Sequence, residues 1–337
     1  MQKAGNKDTL SLPVRILLAV LPLLAIFISL FFGRYHLSLS EVVFSILRPG
    51  AVSAASRVTV LQLRLPRAIA AAFVGASLAV SGAAFQSVFR NPLVNSGILG
   101  VSNGAGFGAC LAIVFFGGGV FTYVFSFAFA VAAVILSYFA GRISRVTTSI
   151  TMILGGVIVG AFFSALVSIM KYVADPYSQL PSITFWFMGS FASINYTHLY
   201  AAIPMGIGIT LILLSRWKLN VLSMGEREAA TLGVDVRRAQ LIIIGGATLC
   251  TAAAVCISGT IGWVGLVIPH IGRMITGNSN QKLVPVSISL GAGFMVIMDL
   301  LARTLTGSEI PIGILCALIG TPFFVYLLKK TKGGFGA

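Results

Sequence analysis

Residues 91 to 141 run for 51 positions without one Asp, Glu, Lys or Arg. A helix rises 1.5 Å per residue and the hydrocarbon layer of a bilayer is about 30 Å thick. The run is therefore too long for one membrane crossing and long enough for two, with the natural break at Gly117, Gly118 and Gly119. The rest of the chain has the same character. Charged residues make up 9% of the 337 and apolar residues 57%, against about 25% charged in soluble domains. Mean hydropathy is +0.99. No soluble fold hides that much apolar surface behind so few polar side chains, so soluble-enzyme, disordered and nucleic-acid-binding classes are excluded.

Uncharged stretches mark the remaining crossings. They fall at 16–33, 68–89, 146–170, 199–214, within 239–272, at 283–301 and at 310–328. The 239–272 stretch holds a full span, a Gly-rich break and a short helix starting near Pro269. With the two spans of 91–141 the total is ten, an all-α polytopic membrane protein forming a single permease domain over 1–337. The piece 183–191 is too short to cross and is expected to be interfacial or re-entrant. Lys3, Lys7 and Arg15 precede an apolar run too long for a cleaved leader, so the first span is expected to keep its N-terminus inside.

The net charge of +15 has to be read by location. Ten crossings put both termini on one side. With that side cytoplasmic, 16 basic residues fall inside: Lys3, Lys7, Arg15, Arg90, Arg142, Arg145, Arg216, Lys218, Arg227, Arg237, Arg238, Arg273, Lys282, Lys329, Lys330 and Lys332. Seven fall outside, at Arg34, Arg48, Arg57, Arg64, Arg67, Lys171 and Arg303. The bias follows the positive-inside rule. Five of the outside seven precede span two, which suggests a surface for an acidic partner. Arg64 and Arg67 lie three apart around Pro66 and are expected to share a face on the first helical turn.

Inside, 216–238 is the longest hydrophilic stretch. Within it MGEREAATLG (224–233) has early acids, helix formers and a closing Gly, the pattern of a short capped helix, with Ala229, Ala230 and Leu232 as a small apolar face for a cytoplasmic partner. Asp299, the acid toward the outer end of span nine, stands four before Arg303 and is expected to pair with it. The absence of midplane acids argues against an ion-coupled carrier.

Other motifs carry less. Gly100-Val101-Ser102-Asn103-Gly104 matches a nucleophile elbow, with Asp175 and His198 following, but no strand precedes it. Gly100, Gly104 and Gly108 read better as a close-packing helix face. His270 is expected to be structural, and the four cysteines show no metal spacing. An ungapped comparison at offset 177 aligns 80–82 with 257–259, in the manner of an inverted repeat.

LRLPRAIAAAFVGASLAVSGAAFQSVFRNPL, MGEREAATLGV, SGTIGWVGLVIPHIGR and DLLARTL…IPIGILCALIGTPFFVYLL together resemble the iron-siderophore and cobalamin (FecCD-type) permease family of ATP-binding-cassette importers. The resemblance spans nearly the whole chain. It implies a type II importer fold with an inverted repeat, a second permease subunit, two cytoplasmic ATPases that bind ATP and Mg, an extracytoplasmic binding protein, and no cofactor in this chain. Cargo would be an iron(III)-siderophore, with cobalamin or haem as alternatives. By the same resemblance Arg64, Arg67 and Arg303 meet glutamates of the binding protein. Gly225, Glu226, Arg227, Ala229, Ala230, Leu232 and Gly233 form the ATPase-coupling helix. Asn91, Pro92 and Leu93 lie near the cytoplasmic gate, and Thr151 lines the pathway. Val94-Asn95-Ser96-Gly97 departs from the family's usual gate sequence.

Overall fold

The structure, a computed structural model, describes residues 10–141 and 149–330. Lys3, Lys7, Arg142, Arg145 and Lys332 lie outside the described residues. In chain order the helices are α1 (Leu12–Phe31), α2 (Leu39–Leu47), α3 (Ala54–Val58), α4 (Leu65–Val88), α5 (Val101–Phe116), α6 (Val120–Gly141), α7 (Ser149–Val173), α8 (Gln179–Met188), α9 (Ala202–Leu214), α10 (Arg216–Met224), α11 (Glu226–Thr231), α12 (Val236–Ser258), α13 (Val264–Thr276), α14 (Asn280–Thr304) and α15 (Ile312–Lys330). No strand occurs among the described residues.

Seven helices are long and apolar enough to cross a bilayer, and α5, α13 and the apolar part of α15 are shorter apolar helices. These ten coincide with the ten stretches expected from the sequence, and α13, with 13 residues, is the short eighth one. Helix directions agree with ten successive crossings. Ser87 meets Asn280, Gly75 meets Gly291 and Arg67 meets Asp299, so α4 and α14 run antiparallel. Ser289 meets Leu18 and Arg303 meets Ser29, so α1 and α14 run parallel. The bundle thus has an arginine end, at Arg67 and Arg303, and an opposite end at Ser87, Asn280 and α10.

α4 is the central post. Of its most apolar window 89% is buried, against 11% for α1. Its inner residues are mostly Ala, Gly and Ser, which let neighbouring backbones approach. A Cβ on Gly75 would strike the Gly291 carbonyl, and one on Gly291 would strike that of Gly75. Gly104 and Gly108 sit likewise against the Phe129 and Phe125 carbonyls of α6, and Gly100 against Gly160 of α7. The elbow-like motif is therefore a packing face. His198 bonds Tyr123 and Asn195, and Asp175 takes Ser178, so neither serves Ser102.

Three local expectations change. Span two does not begin at Pro66. The helix continues back to Ala54 through one π-helical turn, Thr59–Arg64, and the Leu61 carbonyl, which Pro66 has no N–H to meet, accepts from the Tyr196 hydroxyl at 2.6 Å. The basic segment before it is folded into α2 and α3 instead of forming a loop. Glu41 caps α2 and accepts from Ser56 Oγ of α3 at 2.9 Å. The Ser38 N–H, with the Ser38 and Ser56 hydroxyls, holds its carboxyl below the usual carboxylate range. Finally, the offset-177 pairing sets 80–82, six residues or more before the end of α4, against 257–259 at the very end of α12, so the matched stretches sit at different depths in their helices.

Because Gly75 touches backbone and Gly245 of α12 faces open space, Gly75→Ala and Gly245→Ala should separate in a thermal unfolding assay in detergent. The first should lose about 1–3 kcal/mol through overpacking. The second should be neutral or gain up to about 1 kcal/mol from helix propensity.

Candidate functional site

At the arginine end, three guanidinium groups converge although their residues are far apart in sequence. Arg67 Nε lies 2.8 Å from Asp299 Oδ1, and its other nitrogens fork onto Glu309 at 3.0 and 2.9 Å. Arg303 Nε lies 3.7 Å from Asp299 Oδ2, and its Nη2 donates to the Ser29 carbonyl at 2.6 Å. Asp299 thus pairs first with Arg67, not with the neighbour one turn along its own helix. Arg64 donates to the carbonyls of Leu30, Phe31 and Tyr35. Two arginines therefore take up the last carbonyls of α1, where orphan acceptors and the helix dipole favour cations.

Arg64 and Arg67, three apart in continuous helical backbone, reach different neighbours: Arg64 the end of α1, and Arg67 the α14 acid and Glu309. With Arg34, Tyr35, Arg303 and Glu309 they line a recess of about 290 Å³. Arg64, Arg67 and Arg303 are only 5%, 8% and 6% exposed, so this is a buried ion cluster rather than a spread of surface charge. Three arginines face two carboxylates, and a positive charge remains over. Glu309, whose side chain is 34% exposed, is the accessible member. Nothing in its sequence surroundings marks it as a partner of Arg67, 242 residues away.

At the opposite end, α10 and α11 are joined at Gly225. The short helix expected over 224–233 is α11, with narrower bounds: Met224 closes α10, and Glu226 opens α11 after the break at Gly225. α11 ends in a Schellman motif. Gly233 N–H donates to Ala230 O at 3.0 Å and Val234 N–H to Ala229 O at 3.1 Å, with Gly233 at φ +78°. Asp235 then caps α12 by accepting from Arg238 N–H at 3.0 Å. Ala229 and Val234 are buried in the cluster that holds Leu219, Val221 and Leu222. Glu226 accepts from Gln240 Nε2 at 3.0 Å, fixing α11 to α12. The expected apolar face is thus divided: Ala229 faces the core, while Ala230 and Leu232 stand exposed beside Arg227 and Met224.

The loop after α4 lies at the same end. Asn91 Oδ1 accepts from Leu93 N–H at 2.9 Å. Asn91 and Pro92 are half-buried and Leu93 is exposed. Thr151 is half-buried in the first turn of α7, beside Met152, which packs with Phe89, Val94 and Leu99 of this loop. The sequence did not single out Gln86. Its Nε2 donates to the carbonyls of Val94 and Gly265 at 3.1 Å, and its Oε1 accepts from Arg273 at 2.6 Å. One amide therefore ties α4, the loop and α13 together. A lone Gln inside an apolar span was the available signal.

The ten-crossing bundle, with an ion cluster at one end and an exposed helical knob at the other, matches a known family over nearly its whole length. Residues 20–330 fit the model of the FecCD transport family. The chain belongs to that family. It is 41% identical over 324 residues to the molybdate import system permease protein MolB of Haemophilus influenzae, covering 94% of this chain and 95% of that one. It is 36% identical over 279 residues to an iron chelatin transport system permease of Helicobacter pylori, covering 82% and 84%. A solved metal-chelate type ABC transporter in an inward-facing conformation superposes with a TM-score of 0.84 at 40% identity, covering 94% of this chain and 99% of that one. The protein is an integral-membrane permease subunit of an ABC importer with the type II fold, and ATP hydrolysis belongs to its partner ATPase subunits.

The ion cluster sets a strong expectation for this permease. Asp299→Asn leaves Arg303 buried with no carboxylate. Removing one partner of a buried pair typically costs about 3–5 kcal/mol. Detergent melting curves should show that loss, whereas Glu309→Gln, at the exposed side, should cost about 1 kcal/mol or less.

Proposed function

We propose that this permease passes an iron(III)-siderophore complex from an extracytoplasmic binding protein to the cytoplasm, in company with a second permease subunit and two ATPases, and that the whole chain acts as one permease domain. The observation that carries the reading is the placement of an arginine-lined recess and an exposed short helix at opposite ends of one bundle. The recess of Arg34, Arg64, Arg67 and Arg303 has positive charge in excess, suited to acidic groups of a binding protein. The exposed side of α11 is small, its C-terminus is closed by the Schellman motif, and it is seated on the core through Ala229. A force applied there reaches α10 and α12 directly. This orientation puts both termini in the cytoplasm, as the inside bias of basic residues requires.

The membrane interior supports a passive pathway. Among the described residues, the acid embedded in a spanning helix is Asp299, and its charge is taken by two arginines, leaving nothing to bind a coupling ion. α7 presents Leu154, Val157, Ile158 and Phe162 outward, an apolar wall suited to a second permease and to a cargo that is passed along without being held. Energy then enters through α11, and rigid-body shifts of packed helices open the path alternately to the two sides. Asn91, Pro92, Leu93 and Thr151 stand where the inner gate would form, with Gln86 bracing the loop.

Docking and coupling can each be separated from folding. Glu309→Gln should tighten binding-protein affinity by freeing Arg67, and Arg34→Glu should weaken it, each by a few fold in a titration against the purified importer. Unchanged affinity in both variants would remove the docking role. Leu232→Asp, at a site 56% exposed, should leave the melting temperature intact while abolishing ATPase association and ATP-driven uptake. Uptake at the wild-type rate would show that α11 does not couple.

Molybdate is a second reading of the cargo, favoured by the 41% identity to the Haemophilus influenzae permease. Titrating the cognate binding protein with ferric siderophores, molybdate, cobalamin and haem decides between them. Saturable binding of molybdate alone would overturn the siderophore assignment.

A further inference from the structure

A hollow lies on the outer flank of the bundle, away from the faces invoked above. It is a groove of about 620 Å³ between α1, α14 and the junction of α9 with α10. Its walls are apolar, with Leu18, Pro22, Leu213 and Ile288 along its length. At its rim, on the end that carries α10, stand Arg15 and Arg216. Both are exposed. Among the described residues, Arg15 Nε reaches the carbonyl of Leu10, at 2.8 Å, and Arg216 the carbonyl of Gln281, at 3.5 Å. No carboxylate lines the groove among the described residues. Trp217, next to Arg216, is 51% exposed, the position of an aromatic anchor at headgroup depth.

We propose that this groove is a binding site for an anionic phospholipid. One acyl chain lies along Leu18, Pro22, Leu213 and Ile288, and the phosphate sits between the two guanidinium groups. Both halves of the site are needed. An apolar groove facing a bilayer takes any lipid tail, but two arginines with no acidic partner among the described residues select a headgroup with net negative charge. The residues preceding α1 are an unsuitable occupant, because Lys3 and Lys7 outnumber Asp8 there and would bring like charge to the arginines. The site bridges α1, α14 and α10, so a bound lipid would tie the peripheral first helix to the segment that leads into α11.

The test uses the full chain in neutral detergent, offered equal amounts of phosphatidylglycerol and phosphatidylcholine, with retained lipid counted by native mass spectrometry. The wild type should retain phosphatidylglycerol preferentially. Arg15→Gln with Arg216→Gln should reduce that preference on the order of tenfold, given the attraction of each basic side chain for an anionic lipid. Arg237→Gln with Arg238→Gln, exposed at the same end but away from the groove, should leave it unchanged. Ala19→Trp, which fills the groove and keeps the arginines, should lower retention of both lipids. Melting curves establish that each variant is folded. Equal loss in the two double variants, or full retention in Arg15→Gln with Arg216→Gln, would overturn the site. So would complete displacement by excess glycerol phosphate, which would mean that a free phosphate suffices and the groove contributes nothing.

Discussion

A helix enclosed on every side within a membrane protein can exist only if its neighbours come close enough to leave no void, and α4 is such a helix. Lipid tails are as apolar as leucine, so burial alone gives little reward for helix association in a bilayer. Contact at backbone distance has to supply the attraction. Gly75 against Gly291 and Gly82 against Gly265 provide it, and each contact sets the register of a different neighbour on the same post. Once α14 is fixed along α4, Asp299 arrives beside Arg67, and Arg303 one turn further on reaches the end of α1. The ion cluster is a result of the register that the glycines set.

The same packing explains why buried charge is tolerated at the arginine end. Arg67 is surrounded by two carboxylates, and Arg64 and Arg303 by carbonyls that α1 leaves unpaired. Every guanidinium satisfies a group that would otherwise be an uncompensated acceptor. The cluster closes the top of α1, joins α4 to α14, and holds the 305–311 segment through Glu309. A residue set that reads as a docking patch in one dimension is, in three, also what joins these helices. Any role in partner recognition has to be exercised through the recess that Arg34 and Glu309 leave open.

Much of this was legible in the chain. Ten crossings could be counted from uncharged stretches because an Asp or Lys in the hydrocarbon layer is costly. The glycine break at 117–119 could be placed too, whereas the short helix expected to start near Pro269 starts five residues earlier, at Val264, with Pro269 inside it. The end of α11 was legible because Gly233 takes a left-handed conformation that most residues resist. Partnerships between distant residues were not legible. Glu309 with Arg67, Gln86 with Arg273 and Ser87 with Asn280 depend on which helix lies against which, and no local pattern carries that. The start of α11 was placed two residues early because Gly225 breaks the chain through its backbone conformation, which composition does not reveal. The π turn was missed because Pro66 at a helix start and Pro66 after a widened turn look alike in sequence.

That turn has a consequence for how the outer part of the molecule tolerates change. Thr59–Arg64 holds one residue more than an ordinary turn would, and each residue of an α-helix advances the chain by about 100°. Deleting any one residue between 59 and 64 would let the turn relax to α-helix without breaking it. The 54–58 segment, α2 and their serine–glutamate contacts would then swing as a unit by roughly that angle about the axis of α4, while Arg64, at the α4 end of the turn, would keep its place. The phase of the entire outer cap is therefore stored in one inserted residue. Length in this six-residue stretch is constrained more tightly than identity.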